Sequence, residues 1–191
     1  MEMIDASAEY IGQLLKLMEE AFGSGYLNYG ELDSYIRSGV PFKAAVEGKR
    51  VLGTILFHEA DDAGIRSHTK MNLEEIRRIR NGKKALICKC ACIDPAYQNQ
   101  GIARKLLGAC MNEIEEQEYG AVFTVLWKYG GRVPAEKLFL EFQFQRGEEL
   151  EAPWYDEHSE YKCRICGGPC LCGGIVYYSA LPAGCTRPCK Q

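Results

Sequence analysis

Apolar positions along the chain follow two periods. Over residues 8–22 they recur at Ile11, Leu14, Leu15, Met18 and Phe22, the spacing of one helix face. Gly23 and Gly25 suit the end of that helix. A shorter helix is predicted over 31–37, stopped by Gly39 and Pro41. Residues 42–46 and 51–57 read as strands joined by a hairpin turn at Gly48-Lys49. The pattern breaks over 60–82. There, Asn72 as cap and Glu75 three residues later predict a short exposed helix over 72–80. Its Arg77, Arg78 and Arg80 read as a solvated face, with a substrate lid as the rival reading.

Residues 85–93 are apolar on both faces, which predicts a central strand. Cys88, Cys90 and Cys92 alternate with Ile87, Lys89 and Ala91. They are therefore expected on one face as small buried side chains; a reactive thiol is the alternative. An amphipathic run over 104–118 follows, its stripe formed by Ala103, Leu106, Leu107, Cys110, Met111 and Ile114, with Gly120 at its end. Residues 121–127 read as a strand. Pro134 suits a first helical turn, and Ala135, Leu138, Phe139 and Phe142 form the stripe of a last helix. Helical periodicity is lost after Arg146, and 173–181 reads as a final strand. There is no internal repeat and no low-complexity linker.

Between the central strand and its helix lies Gln98-Asn99-Gln100-Gly101-Ile102-Ala103. The first turn of a helix carries amides with no intrahelical acceptor, at the positive end of the macrodipole. A strand, a tight glycine turn and a helix therefore make a cradle for a phosphate or pyrophosphate. Taken alone, the hexapeptide also fits an ordinary strand-to-helix turn.

The 191 residues suffice for one sizeable domain, with or without a small appendage, and 47% hydrophobic with 26% charged residues is ordinary globular composition. A net charge of -3 argues against nucleic acid as the main partner and leans toward cationic small molecules. No apolar run approaches the roughly 20 residues of a membrane span. The N-terminal Met1-Glu2-Met3-Ile4-Asp5 lacks the basic region of a signal peptide, so the expected compartment is the cytoplasm.

Ten cysteines are the departure from the ordinary. Cys163, Cys166, Cys170, Cys172, Cys185 and Cys189 crowd the end of the chain among glycines. In a reducing compartment, dense cysteines point to metal more often than to disulfides. Cys163, Cys166, Cys170 and Cys172 are the expected ligands of a structural zinc, with Cys185 and Cys189 as alternative ligands. Lone thiols, disulfides and an iron–sulfur cluster are the other readings. Four sulfur ligands leave no position for water, so zinc there would be a structural clamp tying the last strands together.

From Asp94-Pro95 through Ala103 the chain resembles the GCN5-related N-acetyltransferase (GNAT) superfamily. The resemblance rests on Gln98, Gly101 and Ala103 at the spacing [R/Q]-x-x-G-x-[G/A], after a strand ending Ile93-Asp94-Pro95. It extends over about residues 5–145 and includes the order of the elements. It implies an α/β (α+β) fold with a mixed, mostly antiparallel central sheet, splayed middle strands and flanking helices. Residues 1–150 would form the acetyl-CoA-binding core, and 151–191 a cysteine-rich segment with the final strand, packed on the same domain.

By the same resemblance, amides of Gln98, Asn99, Gln100, Gly101, Ile102, Ala103 and Arg104 would hold the pyrophosphate of acetyl-CoA. Backbone groups at Cys92 and Ile93 would pair with the pantetheine arm, and the Ile93 amide would polarise the acetyl carbonyl. An amine would attack directly. Glu59 is the first choice of base, with His58 beside it; Asp94 more simply orients the loop. The family's tyrosine acid aligns with Phe139, which has no ionisable proton. Tyr129 and Tyr97 are substitute acids, water protonation of the thiolate is another route, and a site without efficient transfer is a third.

The expected function is acetyl-CoA-dependent acetylation of a small-molecule or peptide primary amine, with a homodimer left open. The rival is an acyl-CoA sensor whose cysteine tail docks a partner. A zinc-ribbon nucleic-acid module lacks the basic aromatic stripe it would need.

Overall fold

A backbone irregularity in the central strand decides the architecture. In the computed structural model, which describes residues 1–117, 119–155 and 160–181, the chain begins with β1 (Glu2–Asp5), α1 (Ile11–Phe22), β2 (Gly23–Ser24) and α2 (Tyr29–Arg37). The hairpin β3 (Phe42–Glu47) and β4 (Arg50–Ala60) leads to α3 (Asp62–Thr69) and α4 (Leu73–Arg80). Then come β5 (Ala85–Ile93), α5 (Ile102–Glu116), β6 (Ala121–Lys128) and α6 (Glu136–Glu141). The chain closes with β7 (Gln145–Leu150), β8 (Lys162–Cys163) and β9 (Gly173–Ala180).

Seven strands form one sheet in the order β1-β3-β4-β5-β6-β9-β7. Every neighbouring pair is antiparallel except β5 and β6. That parallel pair joins only Ala85–Ile87 to Ala121–Phe123. Beyond those rungs the two strands part. The last tie at the fork is a side chain: buried Thr124 donates to the Cys88 carbonyl at 2.9 Å.

The parting follows from a bulge. Leu56 lies opposite Cys90 and Phe57 opposite Cys88, so Lys89 is an extra residue on β5. The extra residue reverses which face each side chain takes. Leu86 and Cys88 join the core under α5, whereas Cys90 and Cys92 join the core under α1 and α2. The three cysteines therefore do not share a face, because strand alternation is broken at Lys89. All three are buried, and burial pushes Cys90 up to about 12 and lifts Cys88 and Cys92 well above the ordinary thiol range. That is the environment of a packing thiol, not of a nucleophile.

Helices cover both faces. α5 lays Ile102, Leu106, Leu107, Cys110, Met111 and Ile114 on one side. Ile102 takes the buried place expected of Ala103, which stays half-buried at the cleft. α1 and α2 cover the opposite face over β3 and β4, α2 starting from a full capping box between Asn28 and Glu31. α3 and α4 extend that layer through Ile65, Ile76 and Ile79.

Several expectations are corrected. The helix of 72–80 is not simply exposed, since Ile76 and Ile79 are buried. Arg77 and Arg80 pair with Asp62 at 2.8 and 2.7 Å, binding α4 to α3. Asn72 caps α4 through the Glu74 amide, while Glu75 turns to Arg78. β7 had no counterpart in the hydrophobic pattern: it is an edge strand with mostly exposed polar side chains. Among the described residues, no helix is long and apolar enough to cross a membrane.

Thr124→Val preserves side-chain shape and removes the donor at the fork. Urea unfolding should show a loss of about 1–2 kcal/mol, with Thr124→Ser recovering most of it.

Candidate active site and cysteine centre

The fork opens into two joined cavities. Strand alternation decides which backbone groups face them. Asp94 N–H donates to Leu52 O at 2.8 Å, so its own groups turn to β4. The register then turns Cys92 to Thr54 on β4 and leaves the backbone groups of Ala91 and Ile93 on the open edge. Of the two residues expected to present backbone to a ligand, Ile93 turns its backbone to the open edge; beside it stands Ala91 rather than Cys92.

At the open end the chain turns through a braced loop. Asp94 accepts from the Ala96 amide at 2.9 Å and pairs with Arg50 at 2.8 Å. Those two donors hold its carboxylate below the ordinary range. Gln98 donates through Nε2 to the Ile93 carbonyl at 3.1 Å, and Gln100 to Ala96 O at 3.4 Å. Their side chains are thereby spent on the loop, which leaves backbone for any ligand. Asn99 and Gly101 take positive φ of 61° and 78°, and Gly101 caps α5. The amides of Ile102, Ala103 and Arg104 follow, without intrahelical acceptors. Gln98, Asn99, Gly101, Ile102, Ala103 and Arg104 line one cavity of about 670 Å³ together with Ile93 and Cys92. Arg104 is partnered by Glu141 across the cavity wall.

A second cavity, of about 150 Å³, fills the fork itself. It shares Phe22, Ala91, Trp127, Pro134, Ala135 and Phe139 with the first. Phe139 is 1% exposed and packs edge-on against Phe144, so it serves the core while presenting carbon to the cleft. Tyr129, just past β6, lines the larger cavity with its ring 4.6 Å from Trp127.

Glu59 lies elsewhere. It pairs with Leu86 on β5, six residues from Cys92, or about 20 Å along the strand. Its carboxylate bonds to Lys84 at 3.0 Å and to Tyr119 at 2.8 Å, and both hold it below the ordinary range. Position and pairing remove it from the cleft. His58 turns to the opposite face of β4, where it meets Tyr35 and lines a separate cavity with His68. Tyr97 stays at the loop, its ring under Arg50.

The cysteine centre lies in the connection between β7 and β9. The sulfurs of Cys163, Cys166, Cys170 and Cys172 all lie within 4.8 Å of one another. Cys163 and Cys172 are 4.0 Å apart, and Cys166 and Cys172 3.6 Å. Tetrahedral zinc with bonds of about 2.3 Å needs sulfurs about 3.8 Å apart. The Leu171 amide points at the Cys166 sulfur, 3.4 Å away, a donor suited to a thiolate. Burial opposes ionisation of Cys163, yet the Cys166 and Ile165 amides bring it below its ordinary value. The four residues could hold a metal ion. Cys185 and Cys189 fall outside the described residues.

This segment is docked on the loop after α1. β8 pairs with β2, placing Cys163 opposite Gly23 and Lys162 opposite Ser24. The Arg164 amide and the Tyr161 hydroxyl both donate to Phe22 O, at 2.9 and 3.0 Å. Gly23 is needed for contact as much as for conformation: a Cβ there would sit 2.0 Å from Lys162 O. The aromatic residues gathered here, Tyr26, Trp154 and Tyr161, carry no periodic signal in the sequence. The glycine pair Gly23 and Gly25 was the available hint, since both abut residues 160–164.

The family model for the acetyltransferase (GNAT) family matches residues 11–144, and the chain belongs to that family. No curated protein matches the sequence. Among solved structures, a chain of the NatC complex bound to Gag peptide and CoA is 12% identical with a TM-score of 0.67, over 95% of this chain and 100% of that one. The ribosomal-protein-S18-alanine N-acetyltransferase from Escherichia coli is 11% identical with a TM-score of 0.65, over 96% of each. An agmatine N-acetyltransferase mutant in its apo form is 12% identical with a TM-score of 0.64, over 94% and 99%. At such identities the likeness is one of fold.

Glu59→Gln should leave the kinetics of the protein unchanged and cost about 1 kcal/mol or less in thermal or urea unfolding. A fall in kcat would return Glu59 to the reaction.

Proposed function

We propose that the protein transfers acetyl from acetyl-CoA to a primary amine. The observation that carries this reading is the fork of β5 and β6 with the Gln98–Ala103 turn at its mouth. Bare amides at the start of α5 suit the pyrophosphate. The open edge at Ala91 and Ile93 suits the pantetheine arm as an added strand. The Ile93 N–H is then placed to stabilise the oxyanion as the amine adds to the thioester carbonyl. The new C–N bond forms, the C–S bond breaks, the nitrogen gives up a proton to water, and the thiolate takes one up.

Two proton steps need donors or acceptors. Tyr129 is the phenol assigned to the thiolate, because Phe139 occupies the usual position of that acid. Tyr129→Phe should lower kcat by about tenfold or more with little change in KM for acetyl-CoA. Among the described residues lining the fork none is a carboxylate, so the amine enters as its free base. The rate should therefore rise about tenfold per pH unit until the pKa of the amine is reached.

Residues 151–191 complete the acetyl-CoA core of 1–150, with zinc held by Cys163, Cys166, Cys170 and Cys172 as a structural clamp. That centre suits a reducing compartment such as the cytoplasm. Protein purified without added metal should contain about one zinc per chain. Reduced, folded protein free of metal would count against the clamp.

Phe139 favours a second reading, a sensor that binds acetyl-CoA without efficient transfer. Calorimetry with acetyl-CoA followed by thiol release over a panel of amines separates the two. Binding with no release above background selects the sensor, and no binding sinks both.

A further inference from the structure

The walls of the fork say what kind of amine it suits, given the transferase reading above. The two cavities meet at Phe22, Ala91, Trp127 and Phe139. The larger one carries the loop and the start of α5, so its side is the donor's. The smaller one continues past the meeting point to residues the larger does not touch: Tyr26, Lys89, Trp154 and Tyr161. That end is the way left for an acceptor.

Its walls are rings. Phe22 and Tyr26 lie 4.6 Å apart, Phe22 and Trp127 6.4 Å, and Tyr26 and Tyr161 6.1 Å. These spacings fall in the range of favourable aromatic pairs and leave ring faces and edges for a further flat group. The volume, about 150 Å³, is of the size at which an apolar protein cavity takes up benzene. Among the described lining residues none is a carboxylate, so nothing there holds the second ammonium of a diamine, and Lys89 lies with its ammonium 5.6 Å over the Tyr26 ring.

The wall is hung on the cysteine centre. Cys163, Cys170 and Cys172 pack against Trp127, Trp154 and Tyr161. The buried Trp127 N–H faces the Cys172 sulfur, an acceptor that a thiolate there would make stronger. β8 and the Tyr161 hydroxyl fix the other wall to Phe22 and Gly23.

We propose that the fork binds an acceptor amine bearing a flat apolar group, stacked between Tyr26, Trp127 and Tyr161, and that the cysteine centre holds those rings in place. The test is calorimetry on the full-length, metal-loaded protein saturated with CoA, with 2-phenylethylamine and putrescine as probes. Phenylethylamine should bind at least about tenfold more tightly, the discrimination an apolar pocket supplies. Tyr161→Leu should weaken phenylethylamine about tenfold while leaving the affinity for CoA at the parent value. Gly23→Ala, which pushes β8 off its docking site without touching a cysteine, should do the same and should also shift the tryptophan emission. Equal or tighter binding of putrescine overturns the proposal, as does unchanged phenylethylamine binding in both variants. Preferential binding with no acetyl transfer sinks the transferase reading instead, and loss of CoA binding sinks both.

Discussion

The extra residue at Lys89 is the constraint on which the rest depends. A regular ladder would have kept β5 and β6 hydrogen-bonded along their length, with no space between them. The bulge shifts the β4–β5 register by one and turns the far half of β5 over. Two consequences follow together. Backbone groups of Ala91 and Ile93 are left facing open space instead of a neighbour. The side chains of Cys90 and Cys92 are sent to the α1 face, so the strand stays sealed in the core on the side away from α5. Unpaired buried backbone is costly, and side chains meet part of that demand: Thr124 donates at the apex, Tyr26 donates to the Lys89 carbonyl, and Gln98 donates to the Ile93 carbonyl. What remains open is the stretch where an extended ligand would restore the ladder.

The opposite side of the cleft is held differently. The connection between β7 and β9 has little regular structure of its own within the described residues, only the two residues of β8. Its interior is three buried cysteines against aromatic rings. A loop of that kind has few apolar contacts to order itself, and a metal held by the four sulfurs would supply the missing cross-link. Docking through Gly23 then transfers that order to the loop after α1. The two sides of the fork thus rest on separate elements, the sheet and its loop on one and the cysteine segment on the other.

Elements with strong periodicity were legible in the sequence. α1, the β3–β4 hairpin, β5, α5, β6 and β9 lie where the apolar pattern puts them, and the family resemblance at Gln98–Ala103 is matched by the family model. The departures share a cause. β7, α3 and the dual role of Arg77 and Arg80 depend on partners distant in sequence, and a polar edge strand has no apolar alternation to read. The bulge is the instructive case: Cys88, Cys90 and Cys92 alternate perfectly on paper, yet one inserted residue separates them. Glu59 misled for the same reason. Its place near the end of a strand is a sequence fact, whereas which end of the sheet opens is decided by β5 and β6.

Phe139 gains a meaning from this geometry that the sequence did not give it. Read as the missing acid of a motif, it argues for a weakened enzyme. In the structure it is a wall shared by both cavities, edge-on to Phe144 and continuous with the rings around Trp127. A phenol at that point would place a polar hydroxyl in an apolar slot, where it needs a partner to be tolerated. Phenylalanine removes that demand and keeps carbon on that wall of the fork. An apolar surround raises the cost of any charge formed inside it, which under the proposed transfer leaves the thiolate's proton to the wetter mouth, where Tyr129 stands. Under the proposed transfer, Phe139 and the aromatic wall then belong together: acid chemistry would sit at the rim, and the interior would serve recognition of the amine.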